Sequence, residues 1–453
     1  MPFSISLSQL SEVLAATPIN FAGLKNNYLI NDVSTDTRSI KPGALFVALR
    51  GSNFDGHEFV QAAVAKGTVV VVTEKDFGTE LGEGIAQLVV KNTLQAYQTI
   101  AHWWRNQLTI PVIAVTGSFG KTTTKELIAS VLGTQGKVRK TQANYNNEIG
   151  VPKTLLEISL EDDFAVVEMA MRGRGEIALL SQISRPNIGV ITNVGTAHIG
   201  RLGSEEAIAQ AKCELLAEMP QDSMAILNAD NQLLMATARQ VWQGKTLTYG
   251  LENGDFQGKL VDSQTISIEG VSLPLPLPGR HNAQNYLAAL AVAKVLGIDL
   301  TQFSQGLTVQ LPEGRAKRYD LPNDLVILDE TYNAGLESMV AALHLLAQTP
   351  GKRHIAVLGT MKELGDRSAQ LHFQVGEKVK QLKLDNLLVL VDEPETAEIA
   401  RGAVGISAEC FTDRQAIVQR LKELVQPGDR ILFKASHSVA LDKVVNQFCQ
   451  LVK

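Results

Sequence analysis

The sequence contains little cysteine and no long apolar run. Its three cysteines, Cys213, Cys410 and Cys449, are odd in number and widely spaced, which fits neither a disulfide framework nor a zinc site. They indicate a reducing compartment instead. No apolar run approaches the roughly 18 residues that a membrane-spanning helix needs. We therefore expect a cytoplasmic protein without a membrane span.

The sequence also lacks a strong excess of charge of either sign. The formal net charge is −5 over 453 residues, which gives no reason to expect nucleic acid as a partner. No Lys or Arg precedes Lys25, and Leu7, Leu10 and Leu14 recur at helical spacing. This pattern predicts a structural helix rather than a signal peptide. The length predicts about three domains of ordinary size.

One stretch near the middle of the N-terminal half has the pattern of a phosphate-binding loop. Residues 111–115 form an apolar run typical of a buried strand, and a turn with Gly117 and Gly120 follows. Residues 125–132 then carry apolar side chains at helical spacing. The glycines let backbone N–H groups close around an anion, and the helix N-terminus adds donors and its dipole. This order predicts a site for nucleotide phosphates.

Two side chains at the start of that helix suit a nucleotide triphosphate. Lys121 would neutralise the β and γ oxygens, and the Thr122 hydroxyl would ligate Mg²⁺. The usual pattern has a further glycine five residues before Gly120, where this chain has Val115. An ordinary glycine-rich turn is therefore the alternative, although the strand and the helix stand where a phosphate loop needs them.

A second candidate for metal binding lies in a later apolar run. Residues 164–171 have a strand pattern that contains one carboxylate, Glu168. Because an unpaired buried charge is costly, Glu168 needs a cation or hydrogen-bond donors. Mg²⁺ beside the phosphate loop is the partner that we favour, and an ion pair with Arg172 or Arg174 is the alternative.

Two further side chains have an unusual setting. His198 follows the apolar strand at residues 187–194, at the carboxyl end where ligands bind in parallel α/β sheets, although a lone histidine is more often a hydrogen-bonded bystander. Lys212 falls in the apolar stripe of a helix that Ser204 would cap. It must either reach out to solvent or be used. A neutral amine can add CO₂ to form a carbamate, but the spacing alone favours the solvent-reaching side chain.

Two polar segments have open interpretations. Arg38 follows Ser34 and Thr37, and it either clamps a diphosphate or carboxylate or lies in a surface turn. Three asparagines beyond the phosphate-loop helix either contact phosphate or sugar or cap turns. These asparagines are Asn144, Asn146 and Asn147.

The last third of the chain alternates strand and helix patterns, which predicts a doubly wound parallel sheet. It has no Gly-x-Gly-x-x-Gly, so we predict no dinucleotide site there. Residues 225–272 have the pattern of short strands and turns. Breaks near residues 106–110 and 312–314 divide the chain into predicted domains at 1–107, 108–313 and 314–453.

Together these segments resemble the Mur ligase family, the ATP-dependent amino-acid ligases of peptidoglycan precursor synthesis. The resemblance extends over essentially the whole chain. Its most specific parts are the phosphate loop at 116–124, Asn-x-Asn-Asn-x-x-Gly-x-Pro at 144–152 and Tyr-Asn-Ala at 332–334. It implies three α/β domains: a small UDP-sugar-binding domain, a central P-loop ATPase domain with a parallel sheet, and a C-terminal Rossmann-like domain for the amine substrate.

The resemblance also implies a reaction and the residues for it. A monomer would join D-Ala-D-Ala to UDP-MurNAc-tripeptide through an acyl phosphate, with ATP and two Mg²⁺ ions. The implied catalytic residues are Lys121, His198 and carbamylated Lys212. The implied metal ligands are Thr122, Glu168, His198 and Lys212. The implied ATP contacts are Thr116, Gly117, Ser118, Gly120, Lys121, Thr122, Thr123, Asn282, Arg315 and Asp329. The implied substrate contacts are Ser34, Thr37, Arg38, Asn144, Asn146, Asn147, Tyr332 and Asn333.

The last domain departs from the family pattern at several positions. Gly335 and Leu336 stand where Asn-Pro is usual, and Thr360 replaces an Asp. Ala435 and His437 replace the Gly and the Arg of a Lys-Gly-Ser-Arg segment. The Asp-Asn-Pro-Arg motif of the ligase that adds a diamino acid is absent, which argues against that enzyme. A folylpolyglutamate-type ligase and a P-loop ATPase that forms no bond are the alternatives.

Overall fold

A computed structural model describes residues 3–19, 27–51 and 53–452. The N-terminal part forms a five-stranded sheet whose last four strands are parallel. In spatial order its strands are Pro18–Ile19, Ala86–Val89, Val70–Thr73, Leu45–Val47 and Val33–Ser34. A separate antiparallel pair joins Ile5–Ser6 to Leu29–Ile30. The helices are Leu7–Leu14, Val60–Ala65 and Thr93–Gln107. The first of them confirms the helix predicted from the leucine spacing.

The central part is built on a nine-stranded sheet in which every neighbouring pair of strands is parallel except for the last two pairs, which are antiparallel. In spatial order the strands are Val138–Lys140, Phe164–Glu168, Val112–Thr116, Ile188–Ile191, Met224–Asn228, Lys245–Gly250, Phe256–Leu260, Thr265–Ile268 and Val271–Pro274. The helices are Lys121–Leu132, Gly150–Leu156, Glu176–Ser184, Ile199–Leu202, Glu205–Glu218, Gln232–Val241 and Arg280–Val295. Apolar side chains between sheet and helices fill the core of this part.

The C-terminal part has a six-stranded sheet in which only the first strand is antiparallel. In spatial order the strands are Lys317–Leu321, Leu325–Asp329, Asp429–Lys434, Arg353–Gly359, Asn386–Leu390 and Ser407–Phe411. The helices are Leu336–Gln348, Ser368–Gln381, Glu398–Gly402, Arg414–Leu424 and Asp442–Val452. The three α/β units confirm the predicted fold class, whereas the domain boundaries at 107 and 313 stay predictions.

Local sequence explains where several elements begin. The Ser204 side chain accepts a hydrogen bond from the backbone N–H of Ala207 and so caps helix Glu205–Glu218, as predicted. The prediction for residues 225–272 was wrong in one place, because it contains helix Gln232–Val241. That helix is capped in the same way by Asn231.

The central sheet places the candidate residues at one edge. Strand Val112–Thr116 lies between Phe164–Glu168 and Ile188–Ile191, all parallel. Their carboxyl ends therefore meet, and the phosphate loop, Glu168 and the segment before His198 follow from adjacent strands. Among the described residues, no helix combines the length and apolar character that crossing a bilayer requires.

Candidate active site

A cavity of about 760 Å³ lies between the central and C-terminal units. We call its two sides the central wall and the C-terminal wall. The central wall includes Ser118, Gly120, Lys121, Thr122, Thr123, Asn144, Asn146, Asn147, Glu168, His198 and Asn282. The C-terminal wall includes Arg315, Glu330, Tyr332, Asn333, Lys362, Lys434 and His437. The fold thus brings most predicted nucleotide and metal residues to one space.

The phosphate loop takes a shape that only glycine allows at two positions. Gly117 has φ +154°, and a Cβ there would overlap the Thr192 hydroxyl. Gly120 has φ +78°, and a Cβ there would press against the Asn285 side chain. Helix Lys121–Leu132 begins directly after the loop, so its free N–H groups point toward the cavity.

Lys121 closes back over this loop. Its ammonium group donates to the carbonyl of Gly117 over 2.8 Å. Burial lowers the pKa of Lys121, while the nearby Glu168 carboxylate raises it. The ammonium therefore stands over the loop whose amides would surround a phosphate.

Glu168 and Thr122 form the candidate metal site. The Thr122 hydroxyl donates to Glu168 Oε1 over 3.1 Å, and the Asn146 amide donates to the same oxygen over 2.8 Å. The second oxygen, Glu168 Oε2, is buried and has no hydrogen-bond partner among the described residues. A buried carboxylate oxygen left free beside a hydroxyl fits a hard cation such as Mg²⁺.

The cation that pairs with Glu168 is one that the sequence reading missed. Neither Arg172 nor Arg174 takes this place; Lys125 does, with its nitrogen 3.8 Å from Glu168 Oε2. Lys125 is fully buried and also bonds Glu126 Oε1 at 2.9 Å and the Thr141 carbonyl at 2.8 Å. Helical spacing of four residues from Lys121 is the only signal in the sequence that would have indicated it.

Lys212 does not reach solvent, so the side-chain orientation that its spacing favoured was wrong. The residue is 2% exposed, inside helix Glu205–Glu218. Burial, with a further contribution from the charge of Lys121, lowers the pKa of Lys212 well below its ordinary value. A lowered pKa favours the neutral amine that carbamate formation requires. It lies outside the lining of the cavity.

His198 joins the central unit to the C-terminal unit. Its Nδ1 lies 2.5 Å from Glu363 Oε2, and Arg201 bonds the other oxygen of Glu363 at 3.2 Å. Burial lowers the pKa of His198. The contacts with Glu363 were not predicted, because nothing in the sequence links residues 165 positions apart.

Two more contacts hold the same loop against the C-terminal unit. The Glu337 carboxylate accepts from the Thr196 backbone N–H over 2.7 Å and from its hydroxyl over 3.1 Å. Gly200 and Gly365 meet backbone to backbone, so a Cβ on either would overlap the other chain segment. The histidine loop is therefore fixed from both sides.

The residues expected to contact the nucleotide beyond the phosphate loop differ in setting. Asn282 lines the cavity and donates to the Pro278 carbonyl over 2.8 Å. Arg315 Nε is buried without a hydrogen-bond partner among the described residues, so it is available to donate to a bound anion. Asp329 lies outside the lining, and its Oδ1 already accepts from Thr331.

The other predicted substrate residues divide in the same way. Asn144 and Asn147 both line the cavity, and Asn147 Oδ1 also accepts a hydrogen bond from the Gly150 N–H over 2.9 Å. Tyr332 lies under the Arg315 guanidinium, 3.8 Å from its ring centre. Asn333 bonds locally to the Ala334 N–H. The turn contact offered for the asparagines is thus present at Asn147, whereas contact with phosphate or sugar stays a prediction.

Ser34, Thr37 and Arg38 are not among the residues that line this cavity. The Arg38 side chain is 89% exposed and bonds its own neighbour Asp36 at 2.7 Å. The Ser34 hydroxyl bonds the carbonyl of Asp36, and Lys66 bonds the carbonyl of Thr37. This segment is held by its own contacts.

Comparison with known families accounts for all three units. The Mur ligase middle domain matches residues 115–293. The Mur ligase glutamate ligase domain matches residues 314–437, and the Mur ligase family catalytic domain matches residues 29–103. The chain belongs to the Mur ligase family. The resemblance deduced from its motifs is confirmed.

Individual relatives of this Mur ligase cover nearly its whole length. A UDP-N-acetylmuramoyl-tripeptide–D-alanyl-D-alanine ligase of Synechocystis is 59% identical over 99% of this chain and 98% of its own. The ligase of that name in Escherichia coli is 36% identical over 98% of both chains. The crystal structure of MurF from Acinetobacter baumannii has a TM-score of 0.89 at 30% identity, covering 99% of each chain.

A solved relative also holds a nucleotide. MurF ligase from Thermotoga maritima, in complex with ADP, has a TM-score of 0.83 at 29% identity, over 93% of this chain and 97% of that one. In the Mur ligase described here, no group of three or more His, Cys, Asp or Glu side chains is arranged to hold a metal ion within the described ranges. The candidate ligands instead include a hydroxyl and a lysine, which such a group would not contain.

Proposed function

We propose that this Mur ligase joins D-alanyl-D-alanine to a UDP-N-acetylmuramoyl-tripeptide, with ATP as the energy source and ADP and phosphate as products. The proposal places the enzyme in peptidoglycan precursor synthesis. The observation that carries it is the cavity between the two units, where the phosphate loop, Thr122 and Glu168 face the C-terminal wall. We assign that wall to the amine substrate. The full-length relative at 59% identity, a curated ligase of that name, supports the same reaction.

The chemistry explains why such a cavity needs cations. A carboxylate is a poor acyl donor, so its oxygen first attacks the γ-phosphate of ATP and forms an acyl phosphate. The attacking and leaving oxygens and the transferred group all carry negative charge. Lys121, held over the phosphate loop, neutralises part of it, and the loop amides orient the triphosphate. The amine then attacks the acyl carbon and expels phosphate.

Two Mg²⁺ ions, when bound, supply the rest of the charge neutralisation. Thr122 and Glu168 would hold one of them, and Glu168 Oε2, which has no hydrogen-bond partner among the described residues, is available as a ligand. His198 and Lys212 would hold the other, with Lys212 as its carbamate. The lowered pKa of Lys212 supports this role, since only the neutral amine adds CO₂.

The remaining assignments belong to the same proposal. Asn282 would contact the adenine, Arg315 the phosphate and Asp329 the ribose. Ser34, Thr37 and Arg38 would face the UDP end of the sugar nucleotide. Asn144, Asn146, Asn147, Tyr332 and Asn333 would contact the acyl and amine substrates. We also propose that the enzyme is a cytoplasmic monomer with domains at 1–107, 108–313 and 314–453, which light scattering and limited proteolysis would test.

The deciding experiment measures phosphate release from ATP with UDP-MurNAc-tripeptide, with and without D-Ala-D-Ala. We expect sustained release only when both are present, together with a pentapeptide product by mass spectrometry. Sustained release that ignores the dipeptide would instead favour the non-ligating ATPase. Turnover with folates and glutamate in a substrate panel would favour the folylpolyglutamate-type ligase.

A further inference from the structure

We propose that His437 is a further catalytic residue that accepts a proton from the ammonium group of the incoming amine substrate. The inference rests on the proposed ligase reaction. An amine substrate is mostly an ammonium ion at neutral pH and has no lone pair with which to attack. A proton acceptor must therefore lie beside it, and imidazole is the side chain best suited near neutral pH.

The fold fixes the position of His437. It begins the short helical turn His437–Val439, just beyond the carboxyl end of strand Asp429–Lys434. The Ser436 backbone N–H donates to the Thr360 carbonyl over 3.0 Å, and the Ser436 hydroxyl accepts from the Lys362 N–H over 3.0 Å. Because the turn is tied to the neighbouring strand, the imidazole is presented to the cavity from a rigid support.

A stack of three side chains relates His437 to the phosphate end of the cavity. The Arg315 guanidinium lies 3.8 Å from the centre of the Tyr332 ring. The imidazole of His437 lies 5.8 Å from the same ring, tilted by 33°. One aromatic ring thus separates a candidate phosphate ligand from His437. In the acyl phosphate, the carbon that the amine attacks is bonded to a phosphate oxygen. The amine must therefore approach at a short distance from the phosphate, as His437 lies at a short distance from Arg315.

His437 is also available for proton transfer. It is exposed toward the cavity, and its ring has no hydrogen-bond partner within the part of the chain that the structure describes. Two other possible acceptors in the cavity are engaged: His198 bonds Glu363, and Glu337 bonds Thr196. Burial and the charge of Lys434 lower the pKa of His281 to about 4, which makes it a weak acceptor.

Several charged side chains line the cavity near His437. Lys434 lies three residues earlier on the strand, and Arg315 lies on the far side of Tyr332. Lys362, from the loop that bonds Ser436, is paired with carboxylates at 2.7 Å. Glu330 is the nearby acid, and it faces Lys434 and Arg315. Glu330 is therefore the competing proton acceptor, which the experiment must separate from His437.

The proton balance of the step is complete. One proton moves from the ammonium nitrogen to an imidazole nitrogen of His437, which leaves a free amine. The amine lone pair forms the bond to the acyl carbon. The second proton on that nitrogen goes to the departing phosphate as the carbon–oxygen bond breaks, and the amide remains. The imidazolium then loses its proton to solvent, to which the exposed ring has access.

The test separates the two half-reactions. One measurement is the single-turnover burst of ADP with UDP-MurNAc-tripeptide and no D-Ala-D-Ala; the other is the rate of amide formation after the dipeptide is added. For His437→Gln we expect an unchanged burst and a loss of about 10²-fold or more in amide formation at pH 7. That loss should shrink as pH rises, because the amine then deprotonates in solution.

Two further variants keep the inference falsifiable. His437→Arg introduces a cation that accepts no proton, so it should lose as much as His437→Gln. Ser438→Ala, the neighbouring change on the same turn, should keep the wild-type rate. A His437→Arg enzyme that is fully active, or a Gln variant that only raises KM for the dipeptide, would make His437 a carboxylate-binding residue and overturn the inference.

Glu330→Gln provides the competing test. If that variant alone shows the pH-dependent loss of amide formation, Glu330 is the acceptor and the inference is wrong. If the wild-type protein forms no amide at all, the proposed function itself fails and the inference fails with it.

Discussion

Two segments of this Mur ligase contain a cationic side chain beside hydroxyl side chains, but the two cations differ in exposure and in what fixes them. In the phosphate loop, Lys121 is half-buried and bonds a backbone carbonyl of the loop itself. In the N-terminal unit, Arg38 is 89% exposed and bonds Asp36, two residues earlier. Both contacts are local in sequence, but the phosphate loop is itself packed against Thr192 and Asn285 of the central unit.

The difference indicates how each site gains its order. The phosphate loop is preorganised, because Gly117 and Gly120 fit against Thr192 and Asn285 with no room for a side chain. A preorganised site loses little entropy when its ligand binds. The Arg38 side chain must exchange Asp36 for a ligand, so its contribution to binding is a small difference between two interactions.

The largest effect is expected at Lys212, on the preorganised side. Lys212→Ala should nearly abolish ligation, because the proposed carbamate oxygens would be lost. Added short carboxylic acids should partly restore the activity by replacing those oxygens. The measurement is amide formation with and without acetate. Full activity in the unsupplemented variant would contradict the carbamate role.

Lys125→Met tests whether the buried charges behind the phosphate loop depend on one another. The change leaves Glu168 and Glu126 with less compensation, and breaking such a buried pair costs about 3 to 5 kcal/mol. Lys140, which also pairs with Glu126, should keep the loss near the lower end. Thermal unfolding measures it, and saturating Mg²⁺ with ADP should restore more stability to the variant than to the wild type.

A matched control is Lys137→Met, which removes an ion pair with Glu161 whose side chains are 60% and 67% exposed. Exposed pairs contribute little, about 0 to 1 kcal/mol. If both variants lost the same free energy of unfolding, burial would not determine how strongly the contacts of Lys125 with Glu126 and Glu168 stabilise the fold.

Arg38→Met tests the exposed side of the comparison. We expect KM for the UDP-sugar substrate to rise only about two- to fivefold, because the exposed Arg38 side chain exchanges Asp36 for the ligand. KM for ATP should not change, because Arg38 does not line the cavity. Lys41→Met, in the same unit and 75% exposed, is the control. A rise in KM for ATP would show that the two segments serve one ligand.

The smallest effect concerns the pH response of Asp36. Hydrogen bonds from Arg38 lower the pKa of Asp36 to about 2. A lowered pKa means that the Asp36–Arg38 contact persists above the ordinary carboxyl range and is lost only as the pH falls through about 2. Carboxyl NMR should therefore show no titration of Asp36 between pH 8 and 4. A midpoint near 4 would mean that Arg38 is free in solution.

The sequence predicted the elements that depend on neighbouring residues. The phosphate loop, the Ser204 cap and the alternating strands and helices are local patterns, and all are present. Helix Gln232–Val241 was missed although Asn231 caps it, because the surrounding turns hid its periodicity.

What the sequence could not predict depends on distance along the chain. Lys125 pairs with Glu168 across 43 positions of sequence, and Glu363 reaches His198 across 165. Such contacts arise only when the strands are ordered in a sheet and the units face one another. The burial of Lys212 is likewise a property of packing, since its stripe alone favoured an exposed ammonium group.

The contact between Gly200 and Gly365 has a consequence for how the two units communicate. Most interfaces can be adjusted through side chains that bend or change rotamer, so they weaken by degrees. Here two main chains touch directly, and a Cβ on either would overlap the other. At this point no side chain could bend to keep the two units in contact if they moved apart. The position of the loop that carries His198 is therefore tied directly to the main chain of the C-terminal unit.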